Sequence, residues 1–540
     1  MITLLDGFVD EPSCLGVPPY ISPYARYIAG AIKDAGEEYE YITVEEWRNG
    51  RNFRGDILII LAGAIVPGKY LRGMPLSFKE FLEICKSFKG TKILAGSSAR
   101  FGFGQGGGKE FLDGSGFVDF VARGDGDAFI YDFLNGEIRN RIRKVNEWNR
   151  WSILGAEVVK NHPDFPQPLI CEIETYRGCV RWFNGGCSFC IEPFFGKPVM
   201  RDERDIIREV KELMNIGVTN FRIGCQSCFF SYKAVGIGKT ETPKPNVDAI
   251  KRLLEGIGKL KPSVLHIDNA NPAVISNWEN ESVKICELIK NHCTPGNVAA
   301  LGMESADENV IRRNNINATP EEVMKAIEII NSIGSERGEN GMPAFLPGLN
   351  FVYGLDGESK KTYKINFNFL KKVVEKGYLL RRINIRQVAS FRKKSARIDK
   401  NLFKIFKRKV NEEINRVMLK KIIPKKTIMK DVFLEINIGK KTFGRQIGSY
   451  PILVCLPYKT DVNRFINVKV ANHLYRSVTG IEYPLNINNA GLDAIKNIPY
   501  IGERRAAKII RNRPYKNKEE ILRFFENENL RKELNEWIDI

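Results

Sequence analysis

Histidine is scarce in this chain, with four in 540 residues, and long apolar runs are missing. The longest, Ile57 to Val66, falls well short of the roughly 20 residues that span a bilayer. Met1 leads straight into an apolar strand with no basic leader, so a soluble, cytoplasmic protein with no membrane partner is expected. Eleven cysteines over this length do not make a disulfide scaffold. In a reducing compartment clustered cysteines more often bind metal or carry redox chemistry, so their spacing matters more than their number. Acidic residues are outnumbered: 64 Asp and Glu face 83 Lys and Arg, for a net charge of +19 and a pI near 9.3. Such a balance favours anionic partners such as nucleic acid, without separating RNA from DNA or acidic protein.

The length calls for about three or four units. Residues 1–140 alternate apolar strands (Ile2 to Leu5, Ile57 to Leu61, Lys92 to Leu94, Val118 to Val121) with helical stretches such as Tyr24 to Ala35, the pattern of a Rossmann-like parallel α/β sheet. A connector rich in Asn, Arg and Pro covers 141–168. Six further strands begin near Leu169, Asn220, Val264, Val298, Leu349 and Arg382, so 169–391 reads as a complete or partial (β/α) barrel. Residues 392–430 form a basic helical linker, either a solvated element or a nucleic-acid contact. Short strands in 431–487 predict a small β-barrel, and 488–540 is helical around Gly502. No long-period repeat is present. The glycine run Gly102 to Gly108 lacks the Lys-Ser or Lys-Thr of a phosphate loop and reads as a mobile loop.

The segment Glu174-Thr-Tyr-Arg-Gly-Cys179-Val-Arg-Trp-Phe-Asn-Gly-Gly-Cys187-Ser-Phe-Cys190 places three cysteines in one glycine-bearing loop after a strand. Thiolates are soft ligands suited to iron–sulfur chemistry, and a cubane held by three of them keeps one iron open to a substrate's amine and carboxylate. Zinc held by these cysteines plus a histidine is the alternative, although the nearest histidine, His162, precedes the strand.

This loop resembles that of the radical S-adenosylmethionine (SAM) superfamily, C-x3-C-x2-C with an aromatic before the last cysteine. Phe189 matches the aromatic, and the spacing here is C-x7-C-x2-C. Three downstream segments follow the family's order. Ile223-Gly224-Cys225-Gln226-Ser227 stands where the family has a glycine-rich turn at the methionine amine. Gly302-Met303-Glu304-Ser305-Ala306-Asp307 is similar to its ribose and carboxylate segment. Gly354-Leu355-Asp356-Gly357-Glu358-Ser359 resembles its adenine-side turn. The resemblance implies a [4Fe-4S] cluster on Cys179, Cys187 and Cys190, SAM bound by Phe189, Gly224, Gln226, Glu304, Ser305, Gly354 and Gly357, and an electron donor such as ferredoxin or flavodoxin. Reductive cleavage of SAM would yield a deoxyadenosyl radical that abstracts hydrogen from substrate. Cys225 and Cys228 are read as cysteines near a turn, and Cys171, Cys286, Cys293, Cys455 and His266 as core residues.

Ile93 to Gly96 and Phe117 to Asp127 resemble the cobalamin-binding-like domain that precedes many such barrels, which makes cobalamin a further candidate cofactor, although D-x-H-x-x-G is absent. Cys14 and Cys85 stand alone, where methylthiotransferases carry three N-terminal cysteines, and this weighs against sulfur insertion. Asp431 to Asn486 resembles the RNA-binding TRAM barrel, with a barrel that simply packs on the catalytic domain as the alternative. Ile498 to Ile510 resembles a helix-hairpin-helix, which implies that Gly502, Arg504, Arg505 and Lys508 meet a phosphate backbone. The expected partner is RNA, with tRNA foremost and DNA behind it. A protein or small-molecule substrate, or a binding protein without radical chemistry, remain the other readings.

Overall fold

The computed structural model describes residues 1–8, 20–63, 71, 73–104, 110–389, 392 and 398–540. Cys14 and the glycines Gly106 to Gly108 lie outside the described residues. Among the described residues no helix is long and apolar enough to cross a membrane.

The first strands are β1 (Ile2–Asp6), β2 (Tyr20–Ile21), β3 (Tyr39–Thr43), β4 (Ile57–Leu61), β5 (Thr91–Ala95) and β6 (Phe120–Val121). All but β2 form one parallel sheet in the order β3-β1-β4-β5-β6. Its central strand β4, Ile-Leu-Ile-Ile-Leu, is apolar throughout, as a strand covered on both faces must be.

The catalytic unit begins with β7 (Ile170–Glu174), followed by the short antiparallel pair β8 (Tyr176–Arg177) and β9 (Val199–Met200). Then come β10 (Asn220–Gly224), β11 (Val264–Ile267), β12 (Asn269–Ala270), β13 (Asn297–Glu304), β14 (Phe345–Tyr353) and β15 (Arg382–Gln387). Two parallel sheets, β11-β10-β7-β2 and β12-β13-β14-β15, meet at Asp268, the residue between β11 and β12. The expected barrel is therefore a partial one, an open arc. Its helices show conventional ends: Pro320–Gly334 starts with a capping box between Thr319 and Glu322 and carries Pro320 in its first turn. β2, which sequence patterning does not reveal, extends the arc beside β7.

Residues 141–168 are more than a connector. Val145–Leu154 is a helix packed on the helix Pro23–Asp34, with Trp148 and Trp151 fully buried. Around Trp148 lies a buried ionic network. Arg143 is 2.9 Å from Asp127 and 3.2 Å from Glu174, Arg177 pairs with Asp125, and Glu209 takes both Arg26 and Arg201. The network joins the first sheet to β7 and the loop that follows it.

The linker is helical over Lys400–Val410 and Arg416–Ile422. The small barrel closes in the order β16-β17-β18-β20-β19, formed by β16 (Ile428–Ile438), β17 (Lys441–Gln446), β18 (Leu453–Leu456), β19 (Arg464–His473) and β20 (Ser477–Glu482). A closed five-stranded barrel fits the TRAM-like expectation. β21 (Leu485–Asn486) pairs with the C-terminal β22 (Ile538–Asp539) and ties the final helices to this unit.

Candidate active site

Every sequence-predicted residue of the catalytic site lies at or just beyond the C-terminal end of a strand of the arc, the end where barrel folds place chemistry. The cysteine loop runs from β8 to β9. Ser188 holds it to the segment after β13: its backbone N–H donates to Asn314 O at 2.9 Å and its hydroxyl to Asn314 Oδ1 at 2.8 Å. Asn315 Nδ2 donates to Gly186 O at 2.9 Å. From beyond β15, Arg392 Nη1 donates to the carbonyls of Gly185 at 2.7 Å and Cys187 at 3.0 Å.

The three thiols are near enough to perturb one another. Burial pushes Cys179 up to about 11, lifts Cys187, and drives Cys190 well above the ordinary thiol range, with neighbouring Cys charge adding to the rise at Cys179 and Cys190. Among the described residues no three His, Cys, Asp or Glu side chains converge as the ligands of a single ion do. A cubane is larger than an ion and takes its ligand sulfurs further apart.

Glu304 sits at the end of β13 with a left-handed φ of 60°, in a register break between Gly302 and Glu304. That backbone turns its carboxyl toward Cys187, close enough to raise the thiol further. Burial pushes Glu304 up to about 8, against the pull of Arg386 on β15. Its Oε2 is buried with no hydrogen-bond partner, an arrangement that a donor-rich ligand would relieve. Phe189 packs with Val310, Ile316, Leu355 and Val388, an apolar cluster drawn from the cysteine loop and from beyond the ends of β13, β14 and β15.

The other expected ligand-binding residues are placed differently. Ser305 Oγ is occupied by Asn366 Oδ1 at 3.4 Å and the N–H of Asp307 at 3.1 Å, and the side chain is buried. Gln226 Nε2 donates to Ile223 O at 3.1 Å and its Oε1 accepts from Thr175 at 3.4 Å. Both side chains brace strand ends. Gly224 is glycine because Glu172 Oε1 would lie 1.8 Å from a Cβ. Gly354 and Gly357 have φ of 91° and 80°, and side chains there would strike Ile398 and Val388, or Arg313 and Asn309. Packing and backbone shape both call for glycine at these two positions.

Cys228 Sγ accepts from the N–H of Asn271 at 3.2 Å, and Cys171, Cys286, Cys293 and Cys455 are buried. His266 Nδ1 accepts from the N–H of Ser449 at 2.9 Å, and burial holds the ring down to about 4, a neutral core histidine. In the C-terminal unit, Gly502 has φ of 65° and opens the helix Gly502–Arg511. Arg504, Arg505 and Lys508 are exposed, with Arg505 donating to Tyr500 O at 2.8 Å and Lys508 over the Phe524 ring at 5.1 Å. Sequence reasoning missed Arg181, Arg386 and Arg392. Their signal was present only as cations inside the cysteine loop and at the last strand.

Three cysteines, an orphaned carboxyl oxygen and an apolar cluster around Phe189 stand at one end of a parallel arc. The Radical SAM superfamily model matches residues 173–364. The uncharacterized protein MJ0274 of Methanocaldococcus jannaschii is 47% identical over 501 residues, covering 88% of this chain and 92% of that protein. A tRNA-2-methylthio-N(6)-dimethylallyladenosine synthase of Lachnoclostridium phytofermentans is 24% identical over 191 residues, 35% of this chain and 37% of its own length. Among solved structures, the radical S-adenosylmethionine methyltransferase TsrM of Kitasatospora setae, with tryptophan and a SAM analog bound, aligns with a TM-score of 0.47 at 13% identity over 71% of this chain and 72% of that one. The chain belongs to the radical SAM superfamily and is a radical SAM enzyme, in a family that works with a [4Fe-4S] cluster and SAM.

Proposed function

We propose that Cys179, Cys187 and Cys190 hold the [4Fe-4S] cluster, and that the enzyme modifies RNA, with tRNA as the first substrate class to test. When bound, the cluster supplies the electron that cleaves SAM. The chain's own residues do the rest. Glu304 offers its orphaned oxygen to SAM hydroxyl or ammonium hydrogens, Phe189 and its apolar neighbours take the adenine, and the loop bonds from Asn314, Asn315 and Arg392 fix the thiols. The observation that carries the assignment is the placement of the three cysteines in one loop beyond β8, with Cys187 near Glu304, at one end of the arc.

The RNA part rests on the charge of +19, the closed small barrel and the exposed Gly502, Arg504, Arg505 and Lys508. The similarity to a tRNA-modifying enzyme points the same way. Sulfur insertion is not part of this reading. Cobalamin, if it enters, finds no histidine in residues 1–140 to ligate its lower face. Filter binding to tRNA tests the proposal: affinity should drop steeply with salt, and Arg504→Glu with Arg505→Glu and Lys508→Glu should weaken it about tenfold or more. Absence of salt-sensitive affinity contradicts the RNA part. One observation favours a second reading, a protein or small-molecule substrate: the small barrel already has a packing role, since Tyr450 beyond β17 inserts against Val298 and Ala300.

A further inference from the structure

The loop between the first two cluster cysteines is four residues longer than the superfamily's usual C-x3-C, and it contains Arg181. Its side chain is 3% exposed. The guanidinium donates to Cys187 Sγ at 3.3 Å, to Asn315 O at 2.8 Å and to Asn315 Oδ1 at 2.9 Å. Nε donates to Glu241 Oε2 at 3.0 Å. The backbone N–H of the same residue reaches Cys179 Sγ at 3.4 Å. One residue therefore donates to two of the three thiols, through backbone and side chain, while braced by a segment beyond β13 and another beyond β10.

We propose that Arg181 is a positioning residue that both anchors the lengthened loop and sets the reduction potential of the cluster. The inference rests on the assignment of Cys187 as a ligand. Reduction adds one electron from an external donor of the ferredoxin or flavodoxin class, with no bond made or broken at the protein, and makes the centre one unit more negative. A buried cation with an N–H on a ligand sulfur favours that more negative state, because hydrogen bonds to the sulfurs and local charge are the protein's means of tuning such centres. Glu241 pairs with Arg181 at 2.9 Å, but its side chain is 46% exposed and more screened, so it offsets the cation only partly. The loop thus carries its own donor to the sulfur.

The test is an anaerobic redox titration of the reconstituted full-length protein, followed by the spectrum of the reduced cluster, with iron and sulfide per chain measured alongside. Arg181→Gln should load and be harder to reduce by about tenfold in the equilibrium, ~59 mV for one electron. Arg181→Lys, which keeps the charge, should shift less. A fully loaded Arg181→Gln with the wild-type potential overturns the proposal. If Arg181→Gln fails to hold iron, Glu241→Gln decides, since it removes the paired carboxylate and leaves the bonds to Cys187 and Asn315: a raised potential supports the role, and an unchanged or lowered one overturns it. Failure of the underlying assignment looks different, as a wild-type cluster that survives Cys187→Ala.

Discussion

Tyr450 donates its phenolic hydrogen to Asp268 Oδ1 at 2.5 Å, across 182 residues of sequence. Asp268 also pairs with Arg222, and the Arg382 guanidinium lies 4.3 Å from the Tyr450 ring centre. Ser449 adds its N–H to His266. The small barrel is thereby fastened to the strand arc. Tyr450→Phe leaves Asp268 buried with one partner fewer and should cost about 1–3 kcal/mol. The check is thermal unfolding, with limited proteolysis reporting earlier release of the C-terminal unit. Truncation after Lys430 removes the same plug, so RNA contacts are better tested by surface substitutions.

His266 predicts an acid limit on this docking. Its ring is held at about 4, against 6.5 for an ordinary histidine, by burial and by Arg222. Between those values the unfolded chain takes up a proton that the folded one refuses. The stability is therefore present above pH 6.5 and is lost as pH falls through 4, by about 3 kcal/mol in total. His266→Gln should flatten the acid limb of a stability-against-pH curve. An unchanged slope would show that other groups govern it.

Asp125 links the first domain to the cysteine loop. Burial opposes its charge, but Arg143 and Arg177 more than offset this and hold its carboxyl below the ordinary value. Asp125→Asn takes from Arg177 its carboxylate and leaves Arg143 with Asp127 and Glu174; breaking a buried pair from one side typically costs about 3–5 kcal/mol. The expected outcome is a lower unfolding temperature together with slower iron uptake, since Arg177 stands two residues before Cys179.

Glu304→Gln converts the orphaned acceptor into a donor. SAM binding to the reconstituted protein should weaken about tenfold or more, in line with loss of a hydrogen bond to a charged group. Equilibrium binding monitored on the reduced cluster's spectrum checks this, and cluster content should stay at the wild-type level.

Much of this architecture was readable in advance. All six barrel strands appear where their apolar residues place them, although β7 and β10 also bury the charged Glu172 and Arg222. β3 escaped notice because Tyr-Glu-Tyr-Ile-Thr mixes polar and apolar residues. The helix Val145–Leu154 was masked by its Asn and Arg content, although Trp148 and Trp151 anchor it. Cys187, Phe189 and Glu304 were legible as motif positions. Arg392 and Tyr450 were not, because their partners lie 205 and 182 residues away, and Arg181 is held in place by Asn315, 134 residues away; no local pattern encodes such pairs.

The central claim is that Cys179, Cys187 and Cys190 carry a cluster that cleaves SAM. The most direct measurement is 5′-deoxyadenosine formed anaerobically by the reconstituted, reduced protein, compared with a Cys187→Ala, Cys190→Ala variant. The account predicts product from the wild type and none from the variant. A reducible, fully loaded wild-type cluster that yields no product would contradict it.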